Sequence, residues 1–247
     1  MKTRSFEHPT VVSSAEWLAA RRELLREEKE FTRWRDRLAA RRRELPWVKV
    51  DKPYVFDAPG GRVPLTALFD GRSQLVVYHF MFGPGWEEGC KSCSYVSDHL
   101  APAVVHLRAR DVAFAAVSHA PLAEFAPFKA RMGWTFNWVS SHGGDFNRDY
   151  HVSFTAEETA LGRVYYNYAM RPFPLEEAPG LSVFARDAGG DVYHTYSTYG
   201  RGLDPLIGAY TVLDLVPKGR DEDPEAPMSW LRHHDRYDPS ADAIALR

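Results

Sequence analysis

The 247-residue chain has only two cysteines, Cys90 and Cys93, three positions apart. One such pair cannot make a disulfide framework. The loop it closes is too short to stabilise a fold, because that effect grows with loop length. Chemistry is therefore the better reason for the pair. Long apolar runs are also missing. The longest, Leu75–Phe82, falls far short of the ~20 residues that span a bilayer. Charge of one sign is missing too: the net charge of −2 gives no general pull toward nucleic acid or anionic lipid. The N-terminal segment is polar and charged rather than apolar, so no secretory signal is read there. Neither Gly-x-Ser-x-Gly nor a phosphate-cradling Gly-x-x-x-x-Gly-Lys loop occurs, which argues against a serine hydrolase and a P-loop enzyme. His233-His234-Asp235 falls in a charged, Pro-rich tail on which no structure is expected, so no triad is read there. The expectation is a soluble cytoplasmic protein with no nucleic-acid partner, no membrane partner, no metal and no cofactor.

Apolar residues make up 45% of the chain, enough for one sizeable core. Residues 13–45 read as one long helix. Ser13-Ser14-Ala15-Glu16 has the spacing of a capping box, in which a hydroxyl accepts from an orphan N–H and the Glu reaches back. Trp17, Leu24, Phe31 and Leu38 recur every seventh residue, with Leu18, Leu25 and Trp34 beside them. This amphipathic helix is expected to pack on its own domain or on a second copy of the chain, the latter giving a homo-oligomer. Arg41-Arg42-Arg43 does not read as a nucleic-acid patch, because Glu23, Glu27, Glu28, Glu30 and Glu44 dilute it. Pro46 stops the helix.

From Trp47 the pattern changes. Trp47–Phe56 alternates as a strand does, Pro59-Gly60-Gly61 is a turn, and Val63–Phe69 is a second short segment. Leu75–Phe82 is nearly continuously apolar, as a strand covered on both faces is. Cys90 to Arg110 reads as a helix with Cys93, Val96, Leu100, Val104 and Leu107 on one face and a kink at Pro102. Asp111–Ser118 is a second buried strand. Pro121–Met132 is a helix that Pro127 is expected to split, and Phe136–Ser140 is a third strand. Residues 148–179, crowded with Tyr165, Tyr166 and Tyr168 and broken by Pro172, Pro174 and Pro179, read as an insertion with a little local structure. Gly189-Gly190 between two apolar segments marks a hairpin. Asp204-Pro205 is expected to open a closing helix. The chain thus divides into an N-terminal helical extension (1–46), an α/β domain with a mixed sheet flanked by helices (47–218, with the insertion at 148–179), and an irregular C-terminal tail (219–247).

The position of Cys90-Lys91-Ser92-Cys93 carries the chemistry. Cysteine reacts as the thiolate, and a helix N-terminus offers free N–H donors and about half a positive charge. Cys90 follows a strand and a Gly/Pro loop and opens the predicted helix, so its pKa is expected to fall from about 8.5 toward neutrality. Cys93, one turn on, begins the buried face. Cys90 is therefore the expected attacking thiolate and Cys93 the resolving thiol. Lys91 favours the thiolate, while Glu87 and Glu88 oppose it. Trp86 is placed to wall the site against a substrate.

The stretch Met81-Phe82-Gly83-Pro84-Gly85-Trp86-Glu87-Glu88-Gly89-Cys90-Lys91-Ser92-Cys93-Ser94 resembles the signature of a bacterial family catalogued as domain of unknown function 899. Arg131-Met132-Gly133-Trp134, Gly144-Asp145-Phe146-Asn147, Tyr196-Ser197-Thr198-Tyr199 and Arg201-Gly202-Leu203-Asp204 continue the resemblance over most of the chain. It implies a thioredoxin-like fold related to thioredoxin and peroxiredoxin-type domains, and it supplies no substrate. On the wider thioredoxin pattern, Cys90 matches the nucleophile, Cys93 the resolving cysteine and Pro102 the helix-kinking proline. Pro179 stands where that pattern has a cis-proline facing the dithiol; it joins Trp86 and Lys91, read from their place beside the cysteines, as the expected substrate-binding residues. The chain departs from the pattern in three places. Lys-Ser separates the cysteines where Gly-Pro is usual, Gly89 replaces the tryptophan before the first cysteine, and Gly180 intervenes before the next strand. The Thr and Pro that organise peroxide in peroxiredoxins are replaced by Glu87 and Gly83, so peroxide chemistry by that route is not expected.

These readings lead to a thiol–disulfide oxidoreductase acting on a disulfide-containing protein or a small thiol. Two others stay open at this level. One is a copper or zinc carrier using both cysteines and a histidine such as His99, His142 or His151. The other is a non-catalytic interaction module built on the N-terminal helix and the aromatic 165–173 segment.

Overall fold

The computed structural model describes residues 10–237; the first residues of the helical extension and the last ten of the tail lie outside the described residues. The extension is one continuous helix, α1 (Ser14–Arg43), started by the predicted capping box: the Ser13 side chain accepts from the Glu16 N–H while the Glu16 carboxylate accepts from Ser13. None of its residues is buried. Its apolar row at Trp17, Leu24 and Phe31 is therefore not covered by its own domain, which the helix meets toward its C-terminal end.

The predicted 47–56 strand is broken. Only β1 (Val48–Lys49) and β2 (Val55–Ala58) form, because Pro53 lacks a ladder donor and the chain turns there, with the Tyr54 N–H on the Lys52 carbonyl at 2.9 Å. β2 returns through a tight turn to β3 (Gly61–Pro64), and a 3-10 turn (Leu65–Phe69) leads to β4 (Gln74–His79). Then come α2 (Lys91–Leu100), a 3-10 turn at Ala101–Ala103, and α3 (Val104–Arg108). The kink thus falls at Pro102 as read. β5 (Val112–Ser118), α4 (Leu122–Arg131) and β6 (Asn137–Ser140) follow. α4 is not split. Pro127 removes one backbone bond, and the buried Phe125 and Phe128 on either side hold the helix to the core.

The local structure of the 148–179 region is a short helix and a hairpin. After α5 (Phe146–Asp149) it forms α6 (Ala156–Ala160), with its own Thr155–Glu158 capping box, and a hairpin of β7 (Val164–Tyr166) and β8 (Ala169–Arg171). Val152, Phe154, Val164, Tyr166, Ala178 and Tyr199 form a small core beneath it. β9 (Gly180–Arg186) and β10 (Val192–Tyr199) make the predicted Gly189-Gly190 hairpin. Asp204-Pro205 falls in a 3-10 turn (Gly200–Leu206), and the closing helix α7 starts later, at Gly208–Leu213.

One eight-stranded sheet runs in the order β1-β10-β9-β4-β5-β6-β2-β3. β4, β5 and β6 are parallel; β9 lies antiparallel to β4, and β10 antiparallel to β9. Alternate residues of β4 serve two cores. Tyr78, followed by Phe80, packs with α2, α4, Trp134 and Trp138 on one face. Leu75 and Val77 pack with Phe56, Phe146 and Phe184 on the other. This double burial explains the continuous apolar run read in the sequence. The C-terminal ends of β4 and β5 form one edge, where the loop to α2 is clamped: Phe80 N–H bonds Val117 O, and Ala120 N–H bonds Phe82 O, both at 2.9 Å.

The tail also differs from expectation. Its backbone is irregular, but Leu231 and His233 are fully buried, and the Trp230 indole donates to Glu222 at 2.6 Å.

Candidate functional site

The loop from β4 to α2 is shaped by two close approaches. A Cβ on Gly83 would lie 2.9 Å from Trp86 Nε1 and 3.3 Å from Glu177 Cγ; one on Gly89 would lie 2.6 Å from Phe80 and 2.7 Å from Phe128. Gly89 therefore stands where a tryptophan side chain has no room. The Cys90 N–H bonds the Met81 carbonyl at 3.2 Å, which sets Cys90 as the N-cap residue of α2. Both cysteines are free thiols, Cys90 half-buried and Cys93 buried. Cys93 Sγ accepts from the Met81 N–H at 3.5 Å.

The Cys90 pKa is pulled down to about 6. The largest cause is the hydrogen bond from the Cys93 thiol. The N–H groups of Cys93 and Ser92 and the Ser92 hydroxyl add to it, against burial. These are the donors expected of a helix mouth. The Cys93 thiol is driven well above the ordinary value, first by burial and then by its neighbour Cys90. The pair is thus asymmetric: one sulfur favoured as the anion, the other as the proton carrier.

Lys91 is exposed, and the donors that lower Cys90 are those of Ser92 and Cys93. Of the two opposing carboxylates, Glu88 is neutralised by Arg131 and Arg236, and Arg131 holds its carboxyl below the usual range. Trp86 is half-buried against the core, its ring 6.5 Å from Phe82. Pro179 lies at the entrance to β9, whose first residue, Gly180, pairs with His79 at the end of β4. Its carbonyl accepts from the Tyr166 hydroxyl at 2.7 Å. No cis peptide bond occurs among the described residues, so Pro179 is trans.

Several neighbours were not legible as site residues. Tyr78 is fully buried, and burial and the adjacent Cys93 sulfur push its phenol well above its usual pKa. Glu177, 3% exposed, receives the Ser153 hydroxyl at 2.7 Å and pairs with His119 Nδ1 at 2.8 Å; burial raises its pKa. His233 reaches the loop from the tail. Only Ser92, inside the motif, carried a sequence signal.

The histidines read as third metal ligands are engaged elsewhere. His99 uses Nδ1 on the Tyr95 carbonyl and Nε2 on the Ala209 N–H, His142 reaches the His119 carbonyl, and His151 packs on Tyr165. Among the described residues, no group of three or more His, Cys, Asp or Glu is arranged to hold a metal, and no helix is long and apolar enough to cross a membrane.

The order β10-β9-β4-β5, with β4 and β5 parallel, β9 and β10 antiparallel, and a cysteine-led helix after β4, defines a protein of the thioredoxin-like class. Residues 6–237 match the family model described as bacterial protein of unknown function (DUF899), and the chain belongs to that family. No curated protein matches it. Similar solved structures include peroxidoxin BcpB from Mycobacterium tuberculosis, at 12% identity over 66% of this chain and 94% of that one, TM-score 0.44. A peroxiredoxin Q mutant from Xanthomonas campestris has 12% identity over 68% and 98%, TM-score 0.43. A putative thiol:disulfide interchange protein DsbE from Chlorobium tepidum has 15% identity over 67% and 97%, TM-score 0.41.

Proposed function

We propose that the protein is a thiol–disulfide oxidoreductase with Cys90 as the attacking thiolate and Cys93 as the resolving thiol. The observation that carries this reading is the placement of the pair: the half-buried Cys90 caps the mouth of α2, and Cys93 is buried one turn on with its sulfur on the Met81 N–H, an asymmetry that agrees with the lowered Cys90 pKa. In the forward direction the Cys90 thiolate attacks one sulfur of a substrate disulfide. The substrate S–S bond breaks, and the leaving thiolate takes up a proton. Cys93 then gives up its proton and attacks Cys90 Sγ. The Cys90–substrate bond breaks, releasing the second substrate thiol and leaving a Cys90–Cys93 disulfide. Two electrons pass from the dithiol to the substrate. On this reading Trp86 and Pro179 are the residues assigned to bind the substrate, together with Lys91, which is exposed.

The test is a mixed-disulfide trap. Cys93→Ser cannot complete the second step and is expected to accumulate a covalent adduct with a model disulfide, while Cys90→Ser forms none. A pair that resists oxidation, or an adduct on Cys93 alone, would sink the assignment.

A further inference from the structure

Helix α1 is 30 residues long and buries none of them. Yet Trp17, Leu24 and Phe31 recur at seven-residue spacing and are 59%, 51% and 66% exposed, with Leu18, Leu25 and Trp34 also exposed beside them. The helix spans about 45 Å. It meets the domain near its C-terminal end, where the Arg42 guanidinium lies 5.6 Å from the centre of the Tyr196 ring. The apolar row lies N-terminal to that contact. A row this long is an interaction surface rather than scattered surface apolarity.

We propose that α1 is a self-association element and that two copies of this chain pair through it, antiparallel. Charge selects both the occupant and the direction. Residues 14–28 carry Glu16, Glu23, Glu27 and Glu28 against three arginines. Residues 29–43 carry seven cations against Glu30 and Asp36. A parallel pair stacks the two cationic halves on each other. An antiparallel pair sets each cationic half beside the acid-bearing half of its partner, twice over, as a two-fold interface requires. The apolar row is self-complementary when reversed. With the axis between residues 27 and 28, Trp17 meets Leu38 of the partner subunit and Leu24 meets Phe31 of the partner subunit, a ring against an aliphatic chain in every layer. The acid-bearing half, with four glutamates against three arginines, opposes an anionic lipid surface as the occupant of the whole row.

The full chain is expected to run as a dimer at micromolar concentration by light scattering. Leu24→Glu with Phe31→Glu should weaken it by about a hundredfold or more, since both side chains sit at the centre of the row. Near-UV circular dichroism reports whether the domain of that variant stays folded. Direction is read separately. In a Cys90→Ser/Cys93→Ser background, a mixture of Trp17→Cys and Leu38→Cys chains should cross-link between the two positions, and neither chain alone should. This second measurement decides the matter if the double glutamate variant misfolds. The proposal is overturned by a monomer at every concentration, by a dimer that survives both glutamates, by cross-links from position 17 to position 17, or by a monomer that binds anionic vesicles through α1.

Discussion

His233 Nε2 lies 2.9 Å from the carbonyl of Gly89, 144 residues earlier in the chain and immediately before Cys90. A carbonyl only accepts, so Nε2 carries the proton and Nδ1 is left to accept from the Arg131 guanidinium at 2.9 Å. The imidazole is 1% exposed. One ring thus ties the tail to the nucleophile's loop and to the arginine that neutralises Glu88. His233→Ala leaves the Gly89 carbonyl without its partner, and an orphaned buried acceptor costs about 1–3 kcal/mol. The expected outcome is a lower urea midpoint and a Cys90 thiol that titrates closer to an ordinary cysteine. A variant with unchanged midpoint and unchanged thiol titration would show that the tie has no bearing on the loop.

Iodoacetamide modification of Cys90 should follow a titration near pH 6, against 9.0 for the unperturbed thiol. Cys93→Ser should move it upward, because the Cys93 thiol is the largest cause of the shift. The sign for stability follows from the folded pKa being depressed. Between about pH 6 and 9 the unfolded chain holds a proton at Cys90 that the folded chain does not. The reduced protein therefore gains stability from this group as pH rises through that window, and loses it as pH falls toward 6. Urea midpoints of reduced wild type and Cys90→Ser across the window measure the difference. Parallel curves would rule the effect out.

The dithiol and its helix were readable because their determinants are local: an apolar strand, a Gly/Pro loop, a cysteine at the helix start and Pro102 one element later. The central α/β order was readable for the same reason. What escaped the sequence depends on distant partners. Pro127 is tolerated because Phe125 and Phe128 bind α4 to the core. The 148–179 segment is ordered because Val152 and Tyr166 find Tyr199 on β10. The tail is fixed because His233 finds Gly89. Glu177 is held inside by its pairing with His119 and Ser153. No local pattern encodes such pairings.

Gly89→Ala tests the packing of the loop. The added methyl would stand 2.6 Å from Phe80 and 2.7 Å from Phe128, both buried rings. Overpacking of this kind costs about 1–3 kcal/mol. The rings cannot yield without disturbing the Trp138 cluster, so the loop shifts instead and carries Cys90 with it. A lower urea midpoint together with slower Cys90 alkylation at neutral pH is expected. An unaffected alkylation rate would mean that the loop absorbs the methyl without moving the sulfur.

Glu177 gives a pH dependence of the opposite sign. Burial is the main cause of its raised pKa, and the bonds from His119 and Ser153 offset it only in part. The folded state therefore prefers the protonated acid. Its contribution is present below the unfolded value of 4.5 and is lost as pH rises from there through the folded pKa. Glu177→Gln removes the charge and keeps a side chain that can hydrogen-bond His119 and Ser153. It should flatten this part of the stability profile and leave the protein at least as stable as wild type near neutral pH. Glu177→Ala, by contrast, takes the acceptor from the buried Ser153 hydroxyl, which keeps only the bond from Asn147, and should cost about 1–3 kcal/mol. If the glutamine variant is instead the less stable at neutral pH, the carboxylate is held as the anion by the His119 pair, and the ion pair rather than burial governs this corner of the site.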